Sequence, residues 1–327
     1  MPFLTLGGAT LRYDRAGAGP TVLLIHGWLG NRTFWERQVA ALRDRFTVIT
    51  VDLRGHGESS PPRTGYTIGG MAADLEQLVR AIGAPRVAVV GWSMGGMIAQ
   101  ELARRLGDRV TSLVLVGTTA GALTDAKNPH AQLELAEQIR KGVAEDFRAF
   151  VRTFAASLFR AGAASPLLAW ATGQMQRTPP HVAQACLESV LSADLRDKLP
   201  SVKAPTLVVH GRHDAIFPVA MAEEIKKGIR GAELAVFEES GHSPGLEEPE
   251  RFNEVVGAFL TIPGAAPAKP SAAKPTPAPA PSKPEERKAE KAAEKAPQKK
   301  AAKPVPKKSE KPGGKASAAK KPAKRKR

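Results

Sequence analysis

Cysteine is almost missing from this chain: Cys186 is the one thiol in 327 residues. A lone thiol cannot close an internal disulfide, and it suits a reducing compartment, so a cytoplasmic protein is expected. Histidine is sparse too, at seven residues. None falls in a Cys/His cluster with metal-ligand spacing, and no glycine-rich phosphate loop occurs, so the sequence asks for neither a metal nor an organic cofactor. No apolar run is long enough to cross a bilayer. Residues Met1 to Tyr13 lack the basic and long apolar regions of a signal peptide and read instead as two strands joined at Gly7-Gly8.

Acidic residues are scarce only at one end. The net charge of +16 divides unevenly: residues 1–262 hold 28 basic and 27 acidic side chains, whereas residues 263–327 hold 20 and 5. The second segment is mostly Ala, Lys and Pro, has no aromatic residue, and has Val305 as its single large aliphatic. It cannot bury enough apolar surface to offset the entropy of ordering, so a disordered basic tail is expected beyond a boundary near Ile262-Pro263-Gly264. Such a tail binds nucleic acid or an anionic surface through counterion release, without base stacking.

What remains is a stretch of about 260 residues, enough for one large domain. Short apolar strands alternate with helical patterns, which implies an α/β fold with a mostly parallel sheet covered on both faces. The most informative segment is Gly91-Trp92-Ser93-Met94-Gly95. A buried-strand pattern, Val87 to Val90, precedes it and a helical one, from Gly96 to Ala103, follows. This is the G-x-S-x-G nucleophile elbow in its strand–turn–helix setting. The turn forces an unfavourable backbone on Ser93, and Gly91, Gly95 and Gly96 supply the room.

Further motifs sit at strand ends in a set order. Val22-Leu23-Leu24-Ile25 leads into His26-Gly27-Trp28, and Val48-Ile49-Thr50-Val51 into Asp52-Leu53-Arg54-Gly55-His56-Gly57. Thr206 to Gly211 leads into Arg212-His213-Asp214, and Leu234 to Phe237 into Ser240-Gly241-His242. With the elbow among them, residues 3–261 resemble the α/β-hydrolase fold family. The resemblance implies a catalytic Ser93, His242 as its base and Asp214 as the acid that orients the base, in the family's order Ser–Asp–His. Asp125 is the nearest candidate for an acid placed after an earlier strand, and Asp52 ends a strand but belongs to a turn that is structural in the family. His26 and His56 are likewise structural there.

The same resemblance implies an oxyanion hole made of two backbone N–H groups, those of Trp28 and Met94, with the side chains of Trp28 and Trp92 flanking the substrate. Either tryptophan could equally serve the core. The stretch from about 120 to 199 is helical throughout, as in Leu133 to Ile139 and Phe147 to Phe154. In the family an insertion here caps the site and shapes it.

A serine at the elbow excludes the alkyl-enzyme chemistry of members that place an aspartate there. The expected activity is cleavage of a carboxylic ester, lactone or thioester through an acyl-enzyme on Ser93. The chain looks most like small carboxylesterases, and in places like pimeloyl-acyl-carrier-protein methyl ester esterases. Its cap cations Arg140, Lys141, Arg148, Arg152 and Arg160 could meet an acidic acyl-carrier protein, or form an ordinary solvated helix face. The run Met94 to Ile98 equally resembles enol-lactone hydrolases and cofactor-free haloperoxidases, which leaves a perhydrolase-type activity as the alternative. A further alternative is a polyanion-binding protein whose tail carries the main role.

Overall fold

The computed structural model describes residues 2–121 and 129–261. Asp125 and the basic segment 263–327, with its expected boundary, lie outside them.

Eight strands form one sheet: β1 (Phe3–Thr5), β2 (Thr10–Ala16), β3 (Thr21–Ile25), β4 (Thr47–Val51), β5 (Val87–Trp92), β6 (Val110–Val116), β7 (Thr206–Gly211) and β8 (Glu233–Phe237). Their spatial order is β1-β2-β4-β3-β5-β6-β7-β8. The first two strands meet in the expected hairpin, Leu4 opposite Leu11, and β2 runs antiparallel to β4. From β4 onward every pairing is parallel. Every residue of β4 to β7 is buried, which is why they read as unbroken apolar runs rather than alternating ones. The ends of the sheet are blunted: β1 is three residues long, and β8 carries an exposed Glu233.

Ten α-helices accompany the sheet in the described residues: α1 (Glu36–Leu42), α2 (Ile68–Ala81), α3 (Met94–Leu106), α4 (Pro129–Glu145), α5 (Phe147–Ser157), α6 (Leu168–Met175), α7 (Pro180–Ser192), α8 (Val219–Gly228), α9 (Pro244–Glu247) and α10 (Pro249–Leu260). In α2, Thr67 caps the N-terminus by accepting from Gly70 N at 2.9 Å, and Ile68, Met71, Leu75, Leu78 and Val79 form the buried face. It packs on α3, while α1 packs on α10, whose Phe252, Val256 and Phe259 are buried at helical spacing. Helices α4 to α7 lie between β6 and β7 and pack on one another, forming the helical insertion expected there.

The strand order places the functional end. From β3 the chain steps to one side, to β4, and then crosses to the other, to β5. The loops after β3 and β5 therefore leave adjacent parallel strands in opposite directions, which opens a crevice at their carboxyl ends.

Candidate active site

Ser93 follows β5 at this switch point. Its backbone has φ 58° and ψ −124° and, with Leu29 at φ 61°, it is one of two non-glycine positive-φ residues described. A side chain there costs on the order of 1–3 kcal/mol unless its surroundings hold it. They do. Ser93 N donates to Val116 O at 2.9 Å, and Ser93 O accepts from Gly96 N at 2.8 Å and from Thr118 Oγ1 at 2.7 Å. The flanking glycines are needed for clearance: a Cβ on Gly95 would stand 2.4 Å from the carbonyl oxygens of Ile25 and His26, and one on Gly91 2.3 Å from Gly95 O. Met94 then opens α3, so its N–H belongs to the unpaired first turn and to the positive end of the helix dipole.

The loop after β3 presses against the serine. A Cβ on Gly27 would lie 2.8 Å from Ser93 Cβ, so only glycine lets Trp28 sit this close. Leu29 turns the chain and Gly30 N closes the turn onto Gly27 O at 3.0 Å. His26 locks it: Nδ1 donates to Gly27 O at 2.8 Å and Nε2 accepts from Leu53 N at 3.0 Å. Burial lowers its pKa to about 4, so it stays neutral in a structural role, and His56, lowered to about 3 by burial and then by His26, does the same. Asp52 is structural as well, accepting from Arg32 N at 2.7 Å and Glu58 N at 2.8 Å.

His242 and Asp214 come together from the ends of β8 and β7. His242 Nδ1 lies 2.8 Å from Asp214 Oδ2. The carboxylate accepts, so Nδ1 carries the proton and Nε2 is the ring nitrogen able to take one up. Asp214 Oδ1 accepts from Ile216 N at 2.8 Å and Phe217 N at 2.9 Å. Burial alone would raise the Asp214 pKa, but the His242 charge and the hydrogen bonds from His210 and His242 outweigh it and hold the carboxyl well below its usual range. Gly117, at φ 48°, lies against the His242 turn: a Cβ there would stand 2.8 Å from His242 O and 3.4 Å from its Nδ1. Gly117 follows Val116, the residue that receives Ser93 N, so the end of β6 touches both the Ser93 turn and the His242 turn.

Trp28 and Trp92 have different posts. The Trp28 ring faces the insertion, 5.0 Å from Phe154 and 6.0 Å from Phe150, and its Nε1 donates to Ala183 O at 2.9 Å. Trp92 instead serves the His242 turn: Nε1 donates to His242 O at 2.9 Å, and the ring stacks on Phe34 at 5.4 Å. Its indole lines a small apolar cavity with Phe34, Leu246 and Phe252. Three of the expected cap cations are already paired: Arg140 with Glu188 and Glu137, Lys141 with Glu145, and Arg160 with Glu239.

Two groups at the site have no sequence motif of their own. His210 also reaches Asp214, and Glu247 accepts from Gly241 N at 2.8 Å and from Arg160 N at 2.7 Å, tying the His242 turn to the insertion. A histidine at the end of an apolar strand was the only signal for the first. Among the described residues, no group of three or more His, Cys, Asp or Glu side chains gathers as a metal site.

Residues 20–249 match the model of the alpha/beta hydrolase fold family. The chain belongs to that family. This hydrolase is 31% identical over 250 residues to a pimeloyl-[acyl-carrier protein] methyl ester esterase of Vibrio vulnificus, spanning 74% of the present chain and 94% of the relative. Among solved structures, it is similar to an esterase from Exiguobacterium antarcticum (TM-score 0.75, 30% identity, 79% of this chain and 98% of that one). It is also similar to an enol-lactonase from Burkholderia xenovorans (TM-score 0.73, 28% identity, 80% and 100%). No described helix of the hydrolase is long and apolar enough to cross a membrane.

Proposed function

We propose that this hydrolase cleaves a small carboxylic ester or lactone through an acyl-enzyme on Ser93, with His242 as base and Asp214 as its orienting acid. The observation that carries the reading is the Asp214–His242 pair, 2.8 Å apart, with the His242 ring 5.6 Å from that of Trp92, the residue next to a serine held at positive φ. His242 Nε2 takes the Ser93 proton as Oγ attacks the carbonyl carbon, then gives it to the leaving alcohol. A water, deprotonated in turn by His242, releases the acid. The N–H groups of Met94 and Trp28 receive the negative oxygen, each such donor being worth about 3 kcal/mol.

Both solved relatives are named for ester or lactone cleavage, which supports this substrate class. The pairing of Arg140, Lys141 and Arg160 favours a free small molecule over an ester presented on an acyl-carrier protein. The lone, buried Cys186 supports a cytoplasmic setting. The charge of segment 263–327 supports a second, separable role in binding nucleic acid or an anionic surface.

The test is hydrolysis of p-nitrophenyl esters, methyl esters and lactones by the full chain and by Ser93→Ala. The variant should fold and lose turnover by about 10³-fold or more. Turnover that survives in Ser93→Ala, together with failure of a serine-directed phosphonate to label the parent, would remove the proposed mechanism.

A further inference from the structure

Asp214 carries two imidazoles, not one. His210, the penultimate residue of β7, stands four residues earlier and is fully buried. Its Nε2 lies 2.8 Å from Phe217 O and 3.2 Å from Asp214 Oδ2. A carbonyl oxygen can only accept, so Nε2 bears the proton and shares it between the two oxygens. That leaves Nδ1 without a proton, and among the described residues this buried atom has no hydrogen-bond partner. Nε2 is thus the ring nitrogen engaged with Asp214.

The consequence falls on Asp214 Oδ2, the oxygen that also receives His242 Nδ1. Two donors compete for its charge, so the carboxylate is held in place and is also made a weaker acceptor than it would be with His242 alone. Phe217 completes the arrangement: its O accepts from His210, its N donates to Asp214 Oδ1, and its ring lies 5.5 Å from that of His242.

We propose that His210 is a positioning residue which, through Asp214, sets how strongly the acid holds the His242 imidazolium. This deepens the triad reading and rests on it. The titratable groups facing His242 are Asp214 from the loop after β7 and Glu247 from α9, with His210 of β7 acting through Asp214. A purely structural His210 would affect stability alone. A positioning His210 sets the pH range in which the base works.

The experiment compares the pH dependence of kcat/KM on p-nitrophenyl acetate for the full chain, His210→Met, His210→Gln and His210→Asn, with thermal melts of each. Methionine removes the donor. Without it Oδ2 keeps more charge for the imidazolium, so the ascending limb should move upward by roughly half a pH unit, the scale of one shared neutral hydrogen bond. The Gln amide nitrogen reaches the Nε2 position and should restore the parent limb. The Asn amide stops near the Nδ1 position and should behave like Met, so the Gln and Asn pair decides the matter even if the Met variant does not fold. Limbs that superimpose on the parent, or that move alike in Gln and Asn, overturn the inference whatever the melting temperatures. Ser93→Ala, run alongside, separates the two levels: if it retains turnover, the triad reading and this inference fall together. If it is dead while the His210 variants match the parent, this inference alone falls.

Discussion

The strain at Ser93 is tolerable because its own N–H and carbonyl are both committed. A positive φ leaves the side chain standing clear of the sheet, and Val116 O, Gly96 N and Thr118 Oγ1 together hold it there. The His242 turn is secured by the same means, through Gly241 N on Glu247, Trp92 Nε1 on His242 O, and Gly117 packed close to the His242 carbonyl. The Trp92 bond leads to a test at this scale. Trp92→Phe keeps an aromatic ring on Phe34 but leaves the His242 carbonyl without its indole donor. The expected cost is about 1 kcal/mol of stability, together with a fall in kcat and little change in KM. Urea denaturation and steady-state kinetics on one short ester measure both. A large rise in KM with unchanged kcat would instead place the indole against the substrate, as the family resemblance implies.

Among the elements, the insertion is the part that does not belong to the sheet, and hydrogen bonds on two sides fasten it. Trp28 Nε1 donates to Ala183 O and Asn31 Nδ2 to Gln174 Oε1 at 3.1 Å, while Thr178 Oγ1 reaches Leu29 O at 3.4 Å. Arg160 N donates to Glu247 on the other side. The insertion thus grips both the loop after β3 and the His242 turn. Helix α5 brings Phe150 and Phe154 onto the Trp28 ring, so in the proposed reaction this aromatic group would wall the acyl chain. Phe154→Ala should shift preference toward longer acyl chains while altering acetyl ester turnover by less than about threefold, because it widens the space without touching the reacting groups. A series of p-nitrophenyl esters from acetate to decanoate gives the answer. An unchanged chain-length profile would show that α5 does not line the acyl path.

Taken as a whole, the chain keeps its catalytic candidates and its charge in different places. Residues 1–262 are nearly neutral, and residues 263–327 hold a net +15. Helix α10 closes the described body at Leu260, with Phe252, Val256 and Phe259 packed inward. Truncation after Ile262 should therefore leave ester hydrolysis and the melting temperature close to those of the full chain. It should also abolish binding to DNA, RNA or anionic vesicles. With roughly ten charges engaged, the full chain's binding should fall by several orders of magnitude between 50 and 200 mM salt. Ester turnover and nucleic-acid retention, each measured with and without the segment, test this together. Loss of small-ester turnover on truncation would show that the segment supports the body.

The sequence alone determined most of the parallel strands, the tight turn at Ser93 and the charge partition. Buried parallel strands must be continuously apolar, so β3, β4, β5 and β7 announce themselves, and a turn as tight as the one at Ser93 demands glycines at fixed offsets in the chain. These are local requirements, written in neighbouring residues. Only the tertiary structure decided what Trp92, His210 and Glu247 do. Trp92 meets a carbonyl 150 residues away. Glu247 braces a loop 87 residues earlier in the chain. His210 looks from sequence like a misplaced polar residue in an apolar strand. Its role depends on which ring nitrogen meets Phe217 O and Asp214 Oδ2, and that follows from how the loop after β7 folds back over the strand end. Nothing in the local pattern fixes that distance, because hydrogen bonds between segments remote in sequence depend on where packing brings them.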